Sequence, residues 1–331
     1  MQEVGNGGVT GLAQSAEIVS ANWEERSVAL QFCLSERRLF AATLRMARLG
    51  THFTQLTGDL NQWAGHVPAL PERLDGLYIR SHPIESPLPV VATVSGVLRY
   101  APNQTDRYFM DLTGRFDDYV GGLGKSSRRE LKRQTFRYTQ LCGGKLPVRE
   151  YRSPNEMEEF YRFARHISAR SYQELLMHGG FPEGQAVIDD LREQAAVNAV
   201  RGYVLLHGDR PVAYQCIRHR EGILYEPLYA YDQEYRKWGP GAVLQFWLLE
   251  RWMNEGAYRV LDHGPGVDYH QVTYATHRQR CAELYFLRDT ARLRLMVGLH
   301  RVTDSLSVNA GRILRALGIK DAAKRLLKMK N

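Results

Sequence analysis

The chain has 331 residues, 44% hydrophobic and 24% charged, with a formal net charge of +8; this is the composition of a soluble globular protein with one large domain or two ordinary ones. No run approaches the roughly 20 apolar residues of a membrane span. The N-terminus, MQEVGNGGVTGLAQSAEIVS, has no basic start followed by an apolar stretch, so no secretory signal is expected.

Cys33, Cys142, Cys216 and Cys281 are scattered without a Cys-x-x-Cys pair. They fit reduced, structural cysteines and a cytoplasmic location. The charge is unevenly placed. From Arg288 onward there are eleven Lys or Arg against three Asp or Glu, an excess equal to the net charge of the whole chain. A nucleic-acid-binding fold would spread its basic footprint over aromatic or base-reading elements, and the tail offers neither.

Residues 1 to about 34 begin Gly-rich and polar and are expected to be loosely ordered. Ser35 to Leu49 reads as an amphipathic helix with Leu39, Leu44, Met46 and Leu49 as apolar positions. Leu74 to Ile79 and Val90 to Tyr100 read as strands between proline-rich loops. Residues 1–105 are therefore an N-terminal extension, either a small α/β subdomain or a degenerate first copy of the main domain. Tyr108 to Leu112 is a short strand, and Thr113 can cap the next helix. That helix carries Lys125, Arg128, Arg129, Lys132, Arg133 and Arg137. Its basic face is either solvated surface or a positive rim for an acidic or phosphorylated substrate.

Lys145 to Tyr151 is a strand, and Ser153 caps a long helix from Glu156 to about Met177. Pro182 begins another helix, to about Val197. Val200 to Leu206 and Val212 to Arg218 are strands joined by a hairpin at His207-Gly208-Asp209-Arg210. The stretch Ile223 to Tyr231 is a further strand. Next come Arg236-Lys237-Trp238-Gly239-Pro240-Gly241, a helix from Ala242 to about Asn254, a stop at Gly256 and a strand from Tyr258 to Asp262. This is a βαβ unit with glycines where a helix opens. The first amides of a helix lack internal partners and carry partial positive charge, so the loop can cradle a phosphate. Gly239 and Gly241 could equally serve only a tight turn.

The loop is neither a Walker loop nor Gly-x-Gly-x-x-Gly. Its pattern, Arg-x-x-Gly-x-Gly, resembles the acetyl-CoA loop of the GNAT acetyltransferase superfamily. Pro240-Gly241 with Leu244 looks like the branch associated with cellulose and exopolysaccharide synthesis, which is related to the Fem peptidyl transferases. The resemblance implies an α/β fold, a mixed sheet with flanking helices, over residues 106–287, and acetyl-CoA or another acyl-CoA as co-substrate. It places Arg236, Lys237, Gly239, Gly241 and Ala242 at the cofactor loop. Asp111, Leu112, Arg128 and Leu131 match the start of the domain in that branch, with Arg128 near substrate.

Pro227 cannot donate to a sheet ladder, so it marks an edge, a bulge or a break. In the GNAT fold the equivalent strand bulges and splays from its neighbour, and the acyl group lies in the gap. Alternation puts Leu224, Glu226 and Leu228 on one face, where a carboxylate between apolar neighbours would have a raised pKa. Glu226 is the first candidate base for the acceptor's proton, a salt bridge to an arginine being the alternative. The segment Asp262-His263-Gly264-Pro265-Gly266 resembles the branch's Asp-x-Gly-x-Gly, with Asp262 and His263 as substrate contacts. The branch's Tyr-Lys pair is absent. Without a gap its positions are His270 and Gln271, and shifted by one they are Tyr269 and His270; Tyr269 is a candidate donor to the leaving thiolate and His270 a candidate proton carrier. The spacing of His263, Asp268 and His270 is no known ligand pattern, so no metal is expected.

Residues 288–331 form a basic amphipathic helical tail, which either packs on the protein, makes a homodimer contact or lies on an anionic membrane surface at the inner face. The function expected is acyl transfer from acyl-CoA to an amine or hydroxyl, with a saccharide or other small molecule as acceptor. The rivals are a Fem-like transferase using aminoacyl-tRNA and a non-catalytic scaffold.

Overall fold

The computed structural model describes residues 23–34, 37–171, 180–265 and 274–316. In chain order the strands and α-helices begin with β1 (Trp23–Leu34), β2 (Arg37–Leu49), β3 (Gly76–Pro83), β4 (Val91–Val94), β5 (Val97–Tyr100) and β6 (Gln104–Asp111). There follow α1 (Phe116–Gly122), α2 (Lys125–Leu141), β7 (Val148–Tyr151), α3 (Met157–Ser168), α4 (Gln185–Ala196), β8 (Val200–His207), β9 (Arg210–Arg220) and β10 (Ile223–Tyr231). The last are α5 (Pro240–Glu255), β11 (Val260–Pro265), β12 (His277–Leu287) and α6 (Ala291–Ala316). The chain divides into two compact units, one of residues 1–105 with 280–331, the other of residues 106–279.

In the first unit β1 and β2 form a long antiparallel hairpin, β2 runs parallel to β3, and β3 and β5 both pair with β12. The expected helix over Ser35–Leu49 is thus a strand, and the part of the N-terminal region that is described is ordered as β1. Leu44 and Met46 are fully buried while Arg45 between them is exposed. Two residues apart is strand periodicity, which the helix-forming Ala, Leu and Arg of this segment masked. The single strand expected over Val90–Tyr100 is a hairpin. Ser95 and Gly96 have φ of 49° and 74°, the left-handed pair of a tight two-residue turn.

The tail helix α6 belongs to this unit. Leu293 and Val297 are buried with Leu30, Phe32 and Tyr100. His300 Nε2 meets the Gln31 carbonyl at 3.1 Å, and its Nδ1 meets the Tyr100 hydroxyl at 2.5 Å. Its outer face shows Leu295, Leu299, Val302 and Leu306, all exposed. No helix among the described residues is long and apolar enough to cross a membrane.

The second unit holds a mixed sheet in the order β6-β11-β10-β9-β8-β7, with β10 and β11 parallel and the other neighbours antiparallel. The strands alternate between two covers. Val204, Tyr214, Cys216 and Ala230 face α3 and α4, whose Phe160, Ile167 and Leu191 are buried against them. Tyr203, Leu205, Ala213 and Ile217 face α2 and α5 through Tyr138, Leu244, Leu248 and Trp252. Helices on both faces of one sheet make this a mixed α/β fold, as expected.

Some helix starts differ from the sequence reading. Thr113 does not cap α1; its N–H and hydroxyl both donate to Asp111, at 2.8 Å and 2.7 Å. The cap position of α1 is Arg115, which makes no side-chain capping bond. Ser153 does make a capping box with Glu156, on the short 3-10 turn Pro154–Glu156 that leads into α3. That helix ends at Ser168, with Ala169 as its C-cap, short of the expected Met177; residues 172–179 lie outside the described set.

Candidate functional site

The site is built where β10 leaves its neighbours. Ile223, Leu224 and Tyr225 pair with Val260, Leu261 and Asp262 of β11, the last pair among the described residues. On the other side the β10–β9 register shifts between Tyr225 and Leu228. The extra backbone at Glu226 and Pro227 is a bulge, which a proline without an N–H favours. The bulge also breaks the alternation that would set Leu224, Glu226 and Leu228 on one face: Leu224 is fully buried and Leu228 is 42% exposed. The side chains of Glu226 and Pro227 lie outside the described set.

From Tyr231 the chain turns into α5. Asp232 is 1% exposed, caps the 3-10 turn Gln233–Trp238 by accepting from the Glu234 N–H at 3.0 Å, and receives Arg210 Nη2 at 2.6 Å. Gly239 ends this turn in the left-handed region (φ 62°, ψ 44°) and is also the N-cap of α5. A Cβ there would lie 2.6 Å from Cδ of Gln134 on α2. Pro240 occupies the first helical position, where its missing N–H removes nothing. The first intrahelical bond runs from Val243 N–H to the Gly239 carbonyl, 3.0 Å, and no side chain caps the end. The amides of Gly241 and Ala242 thus fall among the helix-start donors that intrahelical bonding leaves over. A Cβ on Gly241 would come within 3.1 Å of the Tyr231 ring, a contact that asks the ring to give by a few tenths of an ångström.

Gly241 and Ala242 line a cavity of about 120 Å³ between α5 and the sheet. Its walls include Tyr229 and Tyr231 of β10 and His263 of β11, which lie beyond the last β10–β11 pair. Tyr119 closes another side, with its hydroxyl donating to the Tyr274 carbonyl at 3.2 Å. Burial pushes that hydroxyl's pKa well above the ordinary tyrosine value, so Tyr119 stays protonated at neutral pH.

The other expected site residues are dispersed. Arg236 and Lys237 are exposed on the 3-10 turn, with Lys237 Nζ 4.0 Å from the centre of the Trp238 ring. Arg128 is half-buried in the first turn of α2, where Nη1 donates to the Gly121 carbonyl at 3.4 Å. Asp262 is buried rather than presented to a substrate. Its Oδ2 meets Arg107, and its Oδ1 accepts from the Gly264 N–H at 3.0 Å. Tyr269, His270 and Asp268 lie outside the described residues. Sequence reasoning missed Arg107, because nothing local marks a partner so far along the chain. It also missed Gln215, the one polar residue in the buried run Pro211–Ile217, which was the available signal.

Residues 125–272 match the family model described as an acetyltransferase (GNAT) domain. No curated protein matches the chain. Among solved structures, FemX is 10% identical, with 84% of this chain and 91% of that one covered and a TM-score of 0.47. The C-terminal domain of a putative lysylphosphatidylglycerol synthetase from Agrobacterium fabrum is 12% identical, covering 76% of this chain and 81% of that one, at a TM-score of 0.45. L-PGS from Bacillus licheniformis is 17% identical, covering 70% and 73%, at 0.43. The match falls within the second unit, whose mixed sheet with flanking helices has a GNAT-like fold.

Proposed function

We propose that the protein transfers an acyl group, acetyl in the simplest case, from acyl-CoA to an amine or hydroxyl. The observation that carries this reading is a coincidence of place. The open strand gap of β10 and β11 and the uncapped start of α5 border one cavity. The amides of Gly241 and Ala242 would hold the diphosphate, with Arg236 and Lys237 as exposed cations near it. The gap would take the thioester.

An acyl thioester supplies an activated carbonyl: a bond forms from the acceptor's nitrogen or oxygen to the acyl carbon as the carbon–sulfur bond breaks. The acceptor's proton passes to a base, and the thiolate leaves with a proton from a donor. Glu226, at the bulge, is the proposed base, and His270 and Tyr269 are the proposed proton carrier and donor. Asp262 would act indirectly, by holding His263 and the following turn in place. Alignment of the two reactants supplies most of the acceleration. A saccharide acceptor in exopolysaccharide or envelope synthesis rests on motif resemblance alone.

A second reading, transfer from aminoacyl-tRNA, is favoured by α2. Lys125, Arg128, Arg129 and Lys132 form no ion pair among the described residues, which leaves a cationic face for a polyanion. Titrating acetyl-CoA, CoA and tRNA into the protein separates the readings. The proposal expects micromolar to millimolar binding of both CoA compounds and only weak, salt-sensitive binding of tRNA. Tight tRNA binding without CoA binding selects the second reading, and binding of neither leaves a scaffold.

A further inference from the structure

The cavity contains two polar groups that the proposed chemistry does not use. Gln215 is 1% exposed, and its Nε2 has no hydrogen-bond partner among the described residues. Nε2 of Gln245, on α5, is likewise buried without a partner. Both residues line the cavity. Gln215 stands opposite Tyr229 in the β9–β10 ladder, on the face that carries Ala213 and Ile217 towards α5. Gln245 lies one turn after Gly241 on the same stripe of the helix. A buried amide needs a partner, water or ligand, and leucine or methionine would fill either position without that need. Two such amides on opposing walls of one cavity are the signature of a ligand that pairs with them.

The dimensions and chemistry of the cavity narrow that ligand. At about 120 Å³ it is somewhat smaller than the roughly 150 Å³ cavity that holds benzene. It therefore takes a chain of about five heavy atoms, too few for a pantetheine arm and more than an acetyl group. Its described lining has no Lys, Arg, Asp or Glu, so an ammonium would be buried without a counter-charge and only His263 could face an anionic side chain, which favours an uncharged group. A primary amide offers both a donor and an acceptor, and a hydroxyl answers both.

On the reading that the protein uses acyl-CoA, we propose that Gln215 and Gln245 are specificity residues for the transferred group, a short uncharged acyl chain with a hydroxyl. The test is calorimetry of the full chain with CoA, butyryl-CoA and 3-hydroxybutyryl-CoA. Wild type is expected to bind the hydroxylated compound about tenfold more tightly than butyryl-CoA, one to two hydrogen bonds' worth of discrimination. In Gln215→Leu, and separately in the half-buried Gln245→Leu, that ratio is expected to fall to about one. Circular dichroism checks folding, and Gln215→Leu should raise the unliganded Tm, because a buried unpaired amide is removed. A ratio of one in wild type with CoA binding intact overturns the proposal and leaves the acyl-CoA reading standing. A ratio that persists in both variants also overturns it. Absence of binding by every CoA compound overturns the acyl-CoA reading, and this proposal with it.

Discussion

Arg107 of β6 and Asp262 of β11 form an ion pair in the interior of the second unit, their side chains 4% and 2% exposed. Asp262 is also the last β11 residue paired to β10, opposite Tyr225. From there β11 is held towards β6 by the carboxylate, and the chain bends at Gly264, whose φ is 83°. The pair thus fixes the strand from which His263 faces the cavity.

Removing one partner of a buried pair takes away the nearest counter-charge of the other. Asp262→Ala is expected to destabilise the protein by about 3 kcal/mol or more, read from denaturant unfolding. It should also weaken acyl-CoA binding, because the gap is no longer held. A loss below about 1 kcal/mol would show that water or another group compensates Arg107.

The two loop glycines should respond differently. Gly239→Ala forces a side chain into the left-handed region and against Gln134, a loss of roughly 1–2 kcal/mol. Gly241 has ordinary helical backbone, so Gly241→Ala asks only that the Tyr231 ring yield by a few tenths of an ångström. Thermal unfolding of both variants should rank Gly239→Ala as the more damaging. The reverse order would contradict the turn geometry.

Proton transfer is tested at Glu226. Glu226→Gln keeps size and hydrogen bonding but removes the basic carboxylate. Turnover is expected to fall by roughly ten- to ten-thousand-fold, with CoA affinity little changed. Unchanged turnover would move the role to His270 or to a bound water.

The tail makes a separate prediction. Truncation after Leu287 removes the buried Leu293 and Val297, about 3–6 kcal/mol of apolar burial, and is expected to unfold the first unit. Leu299→Glu with Val302→Glu alters only the outer face. Those variants should stay folded and lose dimer mass in sedimentation if the face is a subunit contact. Loss of binding to anionic vesicles instead would make it a membrane contact.

The βαβ unit was legible because glycines mark both ends of α5, and Pro227 pointed to the bulge because a proline cannot sit in a continuous ladder. The β1–β2 hairpin was not legible. Its Ala- and Arg-rich second strand is held by pairing to Trp23–Leu34, and local propensity carries no record of that partner. Asp262 was found by motif but its ion pair was not, since Arg107 reaches it only through the β6–β11 pairing.

The start of α5 is the proposed seat of the CoA diphosphate. The most direct measurement compares CoA with pantetheine, which lacks the diphosphate, by calorimetry on wild type, Gly241→Val and Arg236→Glu. The account predicts CoA at least tenfold tighter than pantetheine in wild type. It predicts that the difference shrinks sharply in Gly241→Val, and in Arg236→Glu less so as salt rises, since exposed charges are screened. Equal affinity of wild type for both compounds, or no binding of either at millimolar concentration, would contradict it.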